Sequence, residues 1–146
     1  MNLQYLESGV SGDMNQERIK NRLINYNNAL LRLKEALDAD ESNPFIYDAA
    51  IQRFEFTFEL AWKLLKAFLE YEGIAVVNSP RRAFKESFGA DLIHNGDVWI
   101  EMIDDRNLTA HTYDEPKAIE IYKKIKLNYY PQLSVLAQNL SKAINK

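Results

Sequence analysis

Residues 53–74, RFEFTFELAWKLLKAFLEYEGI, decide the fold, because their apolar side chains recur at helical spacing. Starting at Tyr47, the positions Ile51, Phe54, Phe58, Ala61, Leu65 and Phe68 follow steps of three and four and draw one stripe along a helix. Phe56, Leu60, Trp62 and Leu64 widen the apolar surface beyond that stripe. A helix apolar over so much of its circumference belongs at the centre of a bundle, against several neighbours or a second subunit.

The flanking segments carry the same period. Ile19, Leu23, Tyr26, Leu30, Leu33 and Leu37 form a stripe before it, and Ile119, Tyr122, Ile125, Tyr129, Leu133, Leu136, Leu140 and Ile144 form one near the C-terminus. Pro44, Pro80 and Pro116 stand where helices should begin, since a first helical turn has no use for the missing N–H. Ser79 is placed to cap the helix starting at Pro80, and Gly73 and Gly89 stand where helices should stop. The one β-branched run, residues 73–79, is too short and isolated to build a sheet.

The expected elements are helices over about 14–40, 45–72, 80–89, 96–108 and 115–143, with Pro131 kinking or splitting the last. This is an all-α, up-and-down helical bundle of about five helices. Residues 14–146 read as a single domain and residues 1–13, with Gly9, Ser11 and Gly12, as a flexible tail.

Composition narrows the function. With no cysteine among 146 residues, disulfides, thiolate zinc sites and cysteine nucleophiles are excluded. No apolar run approaches the roughly 18–20 residues of a membrane span, and the first residues lack the basic start and apolar core of a secretory signal. The expected location is therefore cytoplasmic. A net charge of −3 argues against a general nucleic-acid coat, so any RNA contact must use a local patch or an assembled cleft. Walker, dinucleotide-glycine and G-x-S-x-G patterns are absent.

The densest chemistry lies in residues 104–116, DDRNLTAHTYDEP, where Arg106, His111 and Tyr113 fall close together in a chain with two histidines. One reading is architectural, with Thr112 and Glu115 forming a capping box for the last helix. The other is chemical. Histidine takes and returns a proton near neutral pH, and arginine matches the oxygens of a phosphate. Together they suit metal-free RNA cleavage through attack of the neighbouring 2′-hydroxyl. Five positions turn a helix by about 140°, so Arg106 and His111 share a phosphate only if the helix ends near Leu108–Ala110 or a dimer completes the pair.

Asp104, Asp105, Asp114 and Glu115 read as helix-end charges rather than metal ligands. Glu59 and Lys63 are spaced for a surface ion pair, or for support of the Arg106 cluster. Arg81, Arg82 and Lys85, and separately Lys123, Lys124 and Lys126, read as solvated basic faces. His94, without a partner in pattern, is assigned to a loop.

Taken with SPRRAFKESFGADLI at 79–93, Trp99-x-x-Met102 and DRNLTAHTYDE at 105–115, the opening stretch resembles the nucleotidyltransferase substrate-binding protein family of the HEPN superfamily. The resemblance spans roughly residues 15–140 and is most specific in the central helix and in R-N-x3-H-x-Y. It implies a HEPN-like homodimer working with a minimal nucleotidyltransferase. In related HepT-like toxin–antitoxin pairs the helical protein is a metal-independent RNase, and the partner transfers AMP from ATP to a tyrosine. Carried over, Arg106 and His111 would be catalytic, Tyr113 the AMP acceptor, and Asn107 the asparagine that follows the arginine, while Glu59 and Lys63 remain the supporting residues read from the central helix; the chain itself would hold no cofactor. The alternative is a non-catalytic subunit that binds nucleotide or substrate for its partner.

Overall fold

A computed structural model describes the backbone of residues 3–109 and 114–145, and side chains over 14–108 and 114–145. Among these residues all regular structure is helical: α1 (Leu3–Asp38), α2 (Ile46–Tyr71), α3 (Pro80–Gly89), α4 (Gly96–Thr109), α5 (Glu115–Lys124), a π-helical turn (Ile125–Tyr129) and α6 (Tyr130–Ile144). The expected all-α bundle is what forms. Helical backbone reaches back to Leu3, through residues 3–13 that the sequence suggested as a tail; Gly9 and Gly12 lower helix propensity without forbidding the conformation.

The α1 stripe is buried along its whole length, and it faces α2 running the other way. Thr57 Oγ1 donates to the Ala29 carbonyl at 3.4 Å and Arg53 Nη1 to the Arg32 carbonyl at 2.6 Å, so positions rise on one helix as they fall on the other. Helix α2 is central, touching α1, α3, α4 and α5. Its apolar width serves these neighbours through Phe54, Phe58, Ala61, Leu64 and Leu65. Phe56 is not covered by these neighbours and stays 60% exposed within one chain.

Aromatic rings tie the layers together. Tyr129 stacks on Phe54 at 5.5 Å, Phe58 meets Phe84 edge-on at 5.7 Å, and Phe84 packs against Trp99 at 4.8 Å. Such pairs add about 0.5–1.5 kcal/mol each beyond burial.

The turns obey the expected chemistry in most places. Gly73 takes φ +69° after α2, a left-handed conformation suited to glycine. Ile74 N–H then closes back onto the Leu69 carbonyl at 2.9 Å. Gly89 ends α3, but the left-handed residue after it is Asp91, at φ 63°. Pro131 falls in the first turn of α6, directly after the π turn. Lacking an N–H, it cannot continue the preceding hydrogen-bond ladder, and the widened turn accommodates the break.

Ser79 Oγ accepts from Arg82 N–H at 3.2 Å, with Pro80 opening α3. Ser79→Ala is expected to cost about 1 kcal/mol, read as a lower urea midpoint with unchanged slope.

Candidate functional site

Arg106 stands in the last turn of α4, three residues before the helix ends at Thr109. That end lies in the window required for Arg106 and His111 to leave a common helix, and α5 starts afresh at Glu115. His111, Thr112 and Tyr113 lie outside the described residues. Asp114, rather than Thr112, is the cap residue of α5, and its side chain makes no capping hydrogen bond. Glu115 is then the first helical residue, and the capping-box reading, which needs Thr112, lies outside the described residues.

The guanidinium of Arg106 reaches across to α2. Its Nη2 is 3.7 Å from Glu59 Oε1. The other oxygen of Glu59 accepts from Trp62 Nε1 at 3.1 Å and lies 3.8 Å from Lys63 Nζ. One carboxylate therefore gathers an arginine, a lysine and an indole. The i, i+4 pairing of Glu59 with Lys63 and the proximity of Glu59 to Arg106 are both realised, because α2 presents Glu59 between α4 and the solvent. Asn107 is exposed on α4.

Directly beside Arg106, Asp105 turns the opposite way. It is only 5% exposed, accepts from the Tyr129 hydroxyl, and accepts from Lys124 Nζ at 3.2 Å. Lys124 also reaches Glu101 at 2.9 Å. This corrects the reading of Asp105 as a helix-end charge: it is a buried acceptor that pins α4 against the π turn. Burial and then the Asp105 carboxylate push the Tyr129 hydroxyl pKa far above its ordinary value. Hydrogen bonding to Glu101, followed by Asp105, raises that of Lys124. The backbone position of Arg106 is thus set by its neighbour's burial. No local signal marks Asp105, since its partners stand 19 and 24 positions away, at the end of α5 and in the π turn.

The basic faces read from sequence are paired in part. Arg82 pairs with Glu86 at 2.9 Å, Lys124 with the two carboxylates above, and Lys126 approaches Glu41 at 3.8 Å. His94, in the turn before α4, lies 3.3 Å from Asp91. Among the described residues no group of three or more His, Asp or Glu side chains could hold a metal ion, and no helix is long and apolar enough to cross a membrane.

The sequence profile of the family described as "Nucleotidyltransferase substrate binding protein like" matches residues 21–142. A Haemophilus influenzae protein named "Probable ribonuclease HepT" is 38% identical over 80 residues, covering 52% of this chain; the chain spans about half of that relative, 55% of its length. A Thermus thermophilus protein of known crystal structure superposes with a TM-score of 0.69 at 32% identity, over 83% of this chain and 99% of that one. The tri-AMPylated Shewanella oneidensis HEPN toxin, solved in complex with its MNT antitoxin, superposes with a TM-score of 0.69 at 16% identity over 85% of this chain and 96% of that one. That last likeness is one of fold.

Proposed function

The chain belongs to the nucleotidyltransferase substrate binding protein family, and on that premise we propose that it is the helical partner of a minimal nucleotidyltransferase and a metal-independent RNase toxin. In this reading Arg106 holds the scissile phosphate. His111 removes the proton of the neighbouring 2′-hydroxyl, whose oxygen attacks phosphorus and expels the 5′-oxygen, leaving a cyclic phosphate; the proton then passes to the leaving oxygen. A homodimer would set two such sites in one cleft.

The observation that carries the proposal is the helix break. Helix α4 carries Arg106 in its last turn and is described as far as Thr109, and α5 is a separate helix from Glu115, so Arg106 stands at the α4 side of the junction that holds His111 in the sequence. The named ribonuclease relative and the fold shared with a HEPN toxin support it.

Regulation follows from the same segment. The partner would transfer AMP from ATP to Tyr113: the phenol oxygen attacks the α-phosphorus and pyrophosphate departs. The new phosphodiester, two residues from His111, would occupy Arg106 electrostatically and block RNA sterically.

The test is expression of the chain with and without the nucleotidyltransferase, following growth and RNA integrity. Growth arrest and cleaved RNA without the partner, relieved with it, are expected. Intact RNA and normal growth in both would leave the non-catalytic substrate-binding subunit as the reading. Incubation with the partner and ATP should add AMP by intact mass, and Tyr113→Phe should lose that gain; an undiminished gain removes Tyr113 as the acceptor.

A further inference from the structure

Between the N-terminal half of α1 and the C-terminal half of α2 runs an open groove of about 610 Å³. Its cations come from both helices: Arg18 and Arg22 from α1, Lys63 and Lys66 from α2. Trp62 and Tyr71 supply aromatic surface, and Tyr71 is 42% exposed. Glu70 is the acidic member, and Lys66 answers it at 2.6 Å. Among the described residues Arg18 and Arg22 have no carboxylate partner, and Arg22 Nε is buried without a hydrogen-bond acceptor. Arg18 and Arg22 also line the adjoining hollow on α1, with Asn21, Asn25 and Glu17.

The groove is joined to the candidate site. Trp62 and Lys63, at its lip, both contact Glu59, and Glu59 contacts Arg106. Along α2 the wall from Trp62 to Tyr71 is about 13 Å long. Cations tracking a backbone beside exposed aromatic faces are the recognition chemistry of single-stranded nucleic acid, in which bases stack and phosphates pair.

We propose that this groove is the track on which a single strand of RNA lies as it approaches Arg106. Its phosphates are held by Arg18, Arg22 and Lys63 and a base stacks on Tyr71. The inference rests on the RNase reading for its direction, and it explains how a chain of net charge −3 would engage RNA through one local surface.

Binding is measured with a fluorescein-labelled 12-nucleotide single-stranded RNA on the full-length His111→Ala protein, so that occupancy is read without cleavage. Adding Arg18→Gln with Lys63→Gln, both exposed, should weaken binding about tenfold or more and flatten the salt dependence from a log–log slope of about 2 to below 1. Tyr71→Ala should weaken binding about fivefold or more through lost stacking. Helical ellipticity and melting temperature confirm that each variant folds. Parent-like affinity in the charge variant overturns the track, and parent-like affinity in Tyr71→Ala overturns base stacking. Saturation by AMP as tightly as by the 12-mer replaces the strand with a mononucleotide and overturns the proposal. Failure of the RNase reading looks different: uncut RNA with the otherwise unaltered protein, while these variants still weaken binding.

Discussion

Taken above pH 10, the ordinary pKa of tyrosine, the protein is expected to unfold cooperatively, with a subset of its eight tyrosines ionising only as the fold opens. Tyr26, Tyr122 and Tyr129 are each almost wholly buried. All three donate their hydroxyl protons: Tyr26 to the Leu133 carbonyl at 2.6 Å, Tyr122 to the Leu37 carbonyl at 3.4 Å, and Tyr129 to Asp105. Burial is the main cause that raises all three pKa values, reinforced at Tyr129 by Asp105 and at Tyr122 by Glu41.

The sign is fixed by which state loses the proton first. A phenol that stays neutral in the folded protein while the unfolded chain ionises contributes its full stability below pH 10. That contribution drains as pH rises above it, by about 1.4 kcal/mol per pH unit for each group. The drain is largest for Tyr26 and Tyr129, whose pKa values rise furthest, and it acts against a total stability of about 5–15 kcal/mol. Absorbance at 295 nm recorded beside ellipticity at 222 nm checks this: the last tyrosines should titrate together with helix loss. Tyr26→Phe should lower stability at neutral pH yet make its dependence on alkaline pH shallower. If all tyrosines ionise near pH 10 while the helices persist, the account of these hydroxyls as anchors is wrong.

Those tyrosines also show what could be read in advance. Tyr26, Tyr122 and Tyr129 were each visible as stripe positions, because helical period alone decides which residues face a core. Proline positions and Ser79 were legible for the same local reason: a missing N–H and a short hydroxyl act within one turn. Asp105 was not legible. It sits between Asp104 and Arg106 at a helix end, where charge is ordinarily solvated, and it becomes a buried acceptor only because α5 delivers Lys124 and the π turn delivers Tyr129. Phe56 finds no cover within one chain, which matches only the second-subunit side of the expectation for this helix.

The site was legible in part. Glu59 and Arg106, distant in sequence, could be named as candidates, but their 3.7 Å approach depends on how α4 crosses α2. The groove left no trace in any single segment, because half of its charge lies on α1 and half on α2. Runs of lysine and arginine in one helix were the more conspicuous signal, and their carboxylate partners had to be seen before they could be set aside.

On the proposed RNase reading, replacing Arg106 by alanine should reduce RNA cleavage about 100- to 1000-fold, the range seen when one donor to a developing anionic centre is removed. Stability should hardly change: the ion pair with Glu59 is partly solvated at both ends, and exposed pairs contribute about 0–1 kcal/mol. Arg106→Lys should recover only a fraction of the rate, since an ammonium keeps the charge but not the planar pair of donors. Glu59 separates a direct role from an indirect one. If Arg106 matters only by bracing α4 on α2, Glu59→Ala breaks the same brace and should cost as much cleavage as Arg106→Ala. If Arg106 meets the phosphate, Glu59→Ala removes one neighbour of its guanidinium and costs far less, about tenfold or below from lost orientation. Single-turnover cleavage of a labelled RNA by the three variants, with melting temperatures alongside, decides between these outcomes. Equal losses in Arg106→Ala and Glu59→Ala would remove Arg106 from the chemistry and return it to the packing of the bundle.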